Sequence, residues 1–457
     1  MLLRSLVSLA GLCAKLAAAD REVFAHYIVG LTSGQTRDEW QQDISEAKGS
    51  GIDGFALNVG AQDTYNDAQL QLAYDVASSN GFLLFLSFDM QASQWSADQI
   101  ISYINTYKVY SSQFTVNSLP VVSTFEGPSQ SDIWSGVRSA TGGIFLIPDW
   151  ASLGAQGVGD KLSLIDGAFN WGAWPEANQL TMSTGNDVAY KSVLQGKPYM
   201  MGVSPYFYTS TISIPEPPLR HSSGLTGRAA DLPGKNWYSS SDSLWFDRWK
   251  QVLDINPEYI EIITWNDYGE SSYINAPIDH QIVAGAGTYV NGFDHTAFRF
   301  VLPYFISAYK AGNADVAVPS EGAVAWYRTT PAAICGDGGT VWGQGGSASA
   351  AQGTQDVVSV IALTNAPTDI TVQIGSGDSG QSVSATSTVG KASFYEVPTN
   401  GRTGAVTVTL NGKSTTGPEI TNSCPSSGYV SYRDLPGKMK AFSDIEQVNF
   451  NAVSIQV

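Results

Sequence analysis

The 457-residue chain is short of charge, and of positive charge above all. Asp, Glu, Lys and Arg together make up 14% of it, where an average globular protein has roughly 25%. Lys and Arg number 24 against 41 Asp and Glu, a formal net charge of −17. Nucleic acid and anionic membrane surfaces need clustered basic residues, so neither is an expected partner. A neutral substrate meets no such objection. There are four histidines, none in an H-E-x-x-H or other familiar ligand spacing, so no metal site is expected. No cofactor signature is present either. No N-x-Ser/Thr acceptor occurs, so N-glycosylation is not expected. After the N-terminus no apolar run approaches the ~18 residues that would span a bilayer. Cysteine is scarce, with three in all. Cys13 lies in a stretch that reads as a secretory signal: Arg4, then apolar Ser5 to Ala14, then small residues at Ala17 and Ala19, with cleavage expected after Ala19. A secreted, extracellular or wall-associated protein follows, in which the remaining pair, Cys335 and Cys424, is expected to form one disulfide.

What is abundant is apolar and aromatic. Hydrophobic residues make up 43% of the chain, enough for a sizeable core, and the length calls for two domains. Eight short apolar runs punctuate the first 310 or so residues: VFAHYIVG (23–30), DGFALNVG (53–60), FLLFLSFDM (82–90), LPVVSTFEG (119–127), GIFLIPDW (143–150), DGAFNWGAW (166–174), PYMMGVSPYF (198–207) and YIEIITWND (259–267). Helical patterns separate them. Thr36 and Glu39 form a capping box before the first helix, and Asn80-Gly81 stops the second. Near-continuous apolar runs suit strands buried on both faces, as in a parallel sheet. Eight of them with intervening helices predict an α/β fold, a (β/α)8 TIM barrel over residues 20–315. An open doubly wound sheet is the alternative, but no G-x-G-x-x-G follows the first run. After the seventh run a long connection, Thr209 to Asp242, is expected to overhang the cleft as a lid. Beyond Asn313 to Ser320 the texture turns to alternating Thr, Ser, Val and Gly, which predicts an antiparallel β-sandwich over 316–457. Gly345 to Gln352 reads as a flexible loop.

In a (β/α)8 barrel, chemistry sits at the C-terminal strand ends. The polar residues there are Asn58, Asp89, Glu126, Asp149 and Asn170, with Trp150 and Trp171 beside them. The densest group is Trp265, Asn266, Asp267, Tyr268, Gly269 and Glu270. Aromatic faces with carboxylates and amides suit a sugar. Glycoside hydrolysis needs two carboxyl groups, one to protonate the leaving oxygen and one to attack or to activate water. Asp267 and Glu270 are the candidate pair. In a continuing strand, positions three apart face opposite ways, so Gly269 is expected to supply backbone angles that turn the chain after Tyr268.

The stretch TWNDYGES at 264–271 resembles fungal glycoside hydrolase family 71, the α-1,3-glucanases or mutanases. So do FAHYIVG (24–30), DGFALNVG, LSFDM (86–90), STFEG (123–127), IPDW, FNWGAWP and NWYSSSDSLWFDRW (236–249), in family order over nearly the whole barrel. The resemblance implies a barrel followed by a β-sandwich, no cofactor, α-1,3-glucan as partner, and endo-hydrolysis with inversion. Its catalytic acids fall on Asp267 and Glu270, with Glu270 taken as general acid and Asp267 as base. Asn58, Asp89, Glu126, Asp149, Trp150, Asn170, Trp171, Trp237, Trp265, Asn266 and Tyr268 are the expected substrate contacts. Ser272 stands where the family commonly has His, so a substrate contact there is expected to differ. Two other readings remain open. One is a carbohydrate-binding wall protein without catalysis. The other is a hydrolase of another α-linked polysaccharide.

Overall fold

The computed structural model describes residues 21–92, 94–211, 235–293, 295–334, 339–376, 381–388, 391–422 and 450–456. The expected signal stretch and both Cys335 and Cys424 lie outside the described residues.

The N-terminal part is a mixed α/β fold around one curled sheet. Its strands are β1 (Glu22–Ile28), β2 (Gly54–Val59), β3 (Leu83–Asp89), β4 (Thr115–Val116), β5 (Leu119–Phe125), β6 (Phe145–Leu146), β7 (Ala168–Asn170) and β8 (Tyr199–Val203). Next come β9 (Phe207–Thr211), β10 (Lys235–Ser239) and β11 (Tyr259–Ile262). Parallel pairing runs β5-β3-β2-β1-β11-β8-β7, with β6 beside β5. Asp149 forms parallel bridges to Phe125 on one side and Phe169 on the other, so the two ends of the sheet meet across it.

The helices form where the sequence signals them. Thr36 and Glu39 close a reciprocal capping box on α1 (Arg37–Gly49), and α2 (Asn66–Asn80) ends at Gly81 in a left-handed conformation. Helices α3 (Ala97–Tyr107), α4 (Trp134–Thr141), α5 (Gly154–Gly159), α6 (Gly185–Val193), α7 (Leu244–Ile255), α8 (Gly287–Val290) and α9 (Leu302–Ala311) follow. Strand residues alternate between two cores. Phe24, Ala56, Phe85, Val121, Phe145, Phe169, Met200 and Tyr259 fill the inside of the curl. Their neighbours Ala25, Phe55, Leu84, Val122, Ala168, Met201 and Ile260 join the larger core between sheet and helices. Burial on both sides is why these runs are apolar throughout.

Residues past 320 form β12 (Gly322–Arg328), β13 (Val341–Trp342), β14 (Val357–Leu363), β15 (Asp369–Ile374), β16 (Gln381–Thr386), β17 (Ala392–Pro398), β18 (Gly404–Leu410), β19 (Lys413–Ile420) and β20 (Phe450–Gln456). Two four-stranded antiparallel sheets result, ordered β17-β14-β12-β20 and β16-β15-β18-β19. Strand β12 is buried along its whole length. Ala323, Ala325 and Tyr327 share a core with the other sheet, whereas Val324 and Trp326 belong to the core of the α/β part. Arg328 and Asp242, both buried, pair at 3.0 Å across the junction.

Two loop expectations change. The connection after the seventh run is not wholly a loop, because β9 and β10 pair antiparallel as a ribbon. The stretch expected to be a flexible loop folds back on β13, which pairs with β10: Ala350 is fully buried and its N–H donates to Thr340 O at 2.9 Å. Trp342 N–H donates to Ala348 O at 2.8 Å, so backbone groups that a free loop would leave to water are paired with β13.

Candidate functional site

Strand β11 stops at Ile262, and the chain then folds back on itself. Thr264 N–H donates to Ser272 O at 3.0 Å and Ile274 N–H to Thr264 O at 3.1 Å. Asn266 Oδ1 accepts from Ile28 N–H at 2.8 Å, which ties the loop to β1. Asp267 N–H donates to Thr264 Oγ1 at 2.8 Å, and Asp267 Oδ1 accepts from Glu270 N–H at 2.9 Å. This last bond closes the turn and brings the two acidic residues to one end of the sheet. The left-handed residue is Ser271, with φ 55°, and not Gly269 as the sequence suggested. Gly269 is closely packed instead: a Cβ there would lie 3.1 Å from Val283, which would have to give way slightly, and 3.4 Å from Asp267 Oδ1. Tyr289 O–H donates to Gly269 O at 2.8 Å and Tyr208 N–H to Glu270 O at 3.1 Å, so the turn is held from two further elements.

Lys235, the first residue of β10, reaches this turn. Its Nζ lies 2.6 Å from Glu270 Oε1. Glu270 raises the affinity of the ammonium for its proton most, with smaller contributions from Asp267 and Asp89. Asp267 is pushed up to about 7, first by burial and then by the charge of Glu270, while Lys235 opposes the rise. Burial and the charge of Glu270 thus favour a proton on Asp267.

Beneath the mouth lies a second polar group. His26 Nδ1 and Glu261 Oε1 are 2.7 Å apart, both nearly sealed from solvent. Asp149 is fully buried, and burial, Glu126 and Glu261, in that order of size, push its carboxyl well above the usual range. Trp171 packs edge-on against His26 at 4.8 Å. From Trp171 an aromatic series runs outward through Trp174 (6.3 Å), Phe207 (4.9 Å) and Trp237 (5.4 Å). Among the described residues, no cluster of three or more His, Cys, Asp or Glu is placed to hold a metal ion. No helix among them is long and apolar enough to cross a membrane.

The family model of glycosyl hydrolase family 71 matches residues 19–444. The chain belongs to glycosyl hydrolase family 71. It is 38% identical over 329 residues to a glucan endo-1,3-alpha-glucosidase of Schizosaccharomyces pombe, covering 68% of this chain and 72% of that protein. To a mutanase of Penicillium rubens it is 33% identical over 365 residues, covering 78% and 75%. Among solved structures, a family 99 endo-alpha-mannosidase of Bacteroides thetaiotaomicron is similar at a TM-score of 0.47 and 12% identity, over 64% of this chain and 98% of that one.

Within this family 71 chain the expected contacts sort by the side of the sheet they occupy. Asn58, Asp89, Asp149 and Trp171 fall on the inward series set by Ala56, Phe85, Ile147 and Phe169. Glu126 sits at the rim with φ 55° and accepts from Ser152 N–H at 2.9 Å. Trp237 is partly exposed on the ribbon, with the Lys235 ammonium 5.9 Å from its ring centre. Five others are corrected. Trp150, Trp265, Asn266 and Tyr268 are fully buried. Trp150, Trp265 and Tyr268 belong to the outer core, and Asn266 is spent on the backbone of β1. Asn170 faces outward, where its Nδ2 donates to Tyr199 Oη at 3.3 Å. Each lies one residue out of phase with the inner face or in the buried return of the turn, a distinction a list of strand-end residues does not make. Ser272 is fully buried, 3.1 Å from Thr264 Oγ1, so it braces the turn and does not line the mouth. The sequence reading missed His26, Glu261 and Lys235. A histidine and an acid inside apolar runs were the available signal for the first two. Nothing local marks Lys235.

Proposed function

We propose that this chain is a secreted endo-hydrolase of α-1,3-glucosidic bonds that works with inversion through Asp267 and Glu270. The observation that carries the reading is the turn after β11, which puts both partly exposed carboxyls at one end of the parallel sheet. The relatives within the family are a glucan endo-1,3-alpha-glucosidase and a mutanase. The eight parallel strands, with Asp149 bridging both ends, support closure into a (β/α)8 barrel over 20–315, and a core shared by the two antiparallel sheets supports a β-sandwich over 316–457. In that frame the pair lies where barrels do their chemistry. Trp171, Trp174 and Trp237 offer faces for successive sugar rings.

One carboxyl protonates the glycosidic oxygen while the other takes a proton from the attacking water. Burial favours a proton on Asp267. For Glu270 to act as acid it must first leave Lys235 and gain that proton. Cleavage of insoluble α-1,3-glucan, compared with α-1,4- and β-1,3-glucans, tests the reading. The α-1,3 polymer alone is expected to be cut, with the β-anomer released first. Release of the α-anomer first would refute inversion, and binding without release of reducing sugar would favour the non-catalytic reading. The acid is identified as the carboxyl whose replacement spares substrates with good leaving groups.

A further inference from the structure

We infer that Lys235 is a positioning residue of the carboxylate pair, and that the C-terminal part of the chain holds it in place through β13. The inference rests on the reading of Asp267 and Glu270 as the reacting acids.

Lys235 is 35 residues from Glu270 in sequence and meets it at 2.6 Å. It reaches the site on a two-stranded ribbon, with Lys235 paired to Thr211 at one end and Ser239 to Phe207 at the other. A two-stranded ribbon alone is marginally stable. Here β13 supplies a third strand, pairing Trp237 with Val341 and Tyr238 with Trp342. Side chains add to the ladder. Thr340 Oγ1 donates to Asn236 Oδ1 at 2.8 Å, next to Lys235 itself. Trp342 Nε1 donates to Ser240 Oγ at 2.9 Å, and Ser240 Oγ to Gly353 O at 2.6 Å. Gly343 N–H donates to Tyr238 O at 2.7 Å. Trp342 in turn lies so close over Gly353 that a Cβ there would meet its ring at 2.4 Å. A lysine on a flexible four-carbon stem keeps one place only if its own backbone is fixed. β13 and the turn after it do that, although they belong to the chain beyond the catalytic part.

The ammonium has a specific task. Two carboxyls sharing a cleft oppose each other's ionisation, and a cation beside them favours it. The groups that set the local charge are Asp267 and Glu270 on the turn, Asp89 at the end of β3, and Tyr289 of α8, which senses both acids. Lys235 thereby sets the pH range in which one of the pair is protonated and the other is not.

The test is the pH profile of kcat/KM on soluble α-1,3-gluco-oligosaccharides, using the full-length protein. Removing the ammonium with Lys235→Met raises the proton affinity of both acids, so both limbs are expected to move to higher pH by about one unit. Lys235→Arg, which keeps the charge, is expected to hold the limbs near their original place. Trp342→Ala and the milder Thr340→Val are expected to shift the profile in the same direction by less, and Trp342→Ala added to Lys235→Met should shift it no further. An unmoved profile in Lys235→Met, with only KM raised, would make Lys235 a substrate contact and overturn the inference. A profile unmoved in Trp342→Ala and Thr340→Val would overturn the part assigned to β13. Asp267→Asn and Glu270→Gln are measured alongside. If either keeps wild-type turnover, the carboxylate pair itself is misassigned, an outcome separate from the fate of Lys235.

Discussion

Two side-chain pairs stacked at the end of the same sheet have nearly equal lengths and opposite surroundings. His26 and Glu261 meet at 2.7 Å with side-chain exposures of 3% and 1%, and Lys235 and Glu270 at 2.6 Å with 33% and 16%. Distance does not separate them; solvent does. Glu261 sits on β11 itself, inside the curl, whereas Glu270 comes nine residues later, after the chain has turned. The inner pair is closed off by Trp171 above it and by the apolar layer of Phe24 and Tyr259 below. A sealed pair fastens strands together, and charges at the rim can meet a substrate. The inner group also includes Asp149, whose Oδ2, like Glu261 Oε2, has no hydrogen-bond partner among the described residues. Leaving such atoms unpaired is costly, and proton retention by the Asp149 carboxyl reduces that cost.

The contrast can be broken most sharply at the rim. Asp267→Asn and Glu270→Gln are each expected to lower kcat by about 10²–10⁴-fold while circular dichroism stays native. Equal losses from Glu261→Gln with an intact fold would show that the inner pair, and not the outer one, does the chemistry. At the inner pair the expected loss is stability. His26→Leu leaves Glu261 buried without its partner and should cost about 3 kcal/mol in denaturant unfolding. An unchanged midpoint would mean the pair fastens nothing.

A smaller effect sharpens the comparison through pH. Asp267 binds its proton more tightly folded than unfolded, raised from an ordinary 3.8 to about 7. Its contribution to stability is therefore full below about pH 4 and is lost as pH rises to about 7. Asp267→Asn cannot ionise and keeps the acceptor for Glu270 N–H. The variant should match the wild type near pH 4 and melt at a higher temperature at pH 7.5, as expected where a catalytic group is held at the expense of stability. Melting curves that coincide at both pH values would remove burial as the cause of the raised affinity. The capping box gives the smallest and most local effect. Thr36→Ala should cost about 1 kcal/mol without touching turnover, and a loss of turnover there would show that α1 communicates with the rim.

Much of this was legible in the sequence, because it depends on local chemistry. The eight apolar runs became eight parallel strands, since a run apolar at every position can only be buried on both faces. The capping box of α1 and the Gly81 stop of α2 formed as written, since each satisfies backbone groups within a few residues of itself. Asp267 and Glu270 could be singled out because an acidic pair at the end of an apolar run has few structural uses. The reason they share one end of the sheet differs from the expected one: Ser271 takes the left-handed backbone, and Gly269 packs closely against Val283.

What only the tertiary structure decided is which side chains meet across long stretches of chain. Strand phase separates Asn170, turned toward Tyr199, from Trp171, turned toward His26, although the two are adjacent. Lys235 and Glu270 become partners because β9, β10 and β13 align in one small sheet, and β13 comes from more than one hundred residues away. Periodicity carries no information about such encounters. They depend on how packed elements close on one another, and a cation gains its effect on a carboxyl only within the few ångströms that this closure determines.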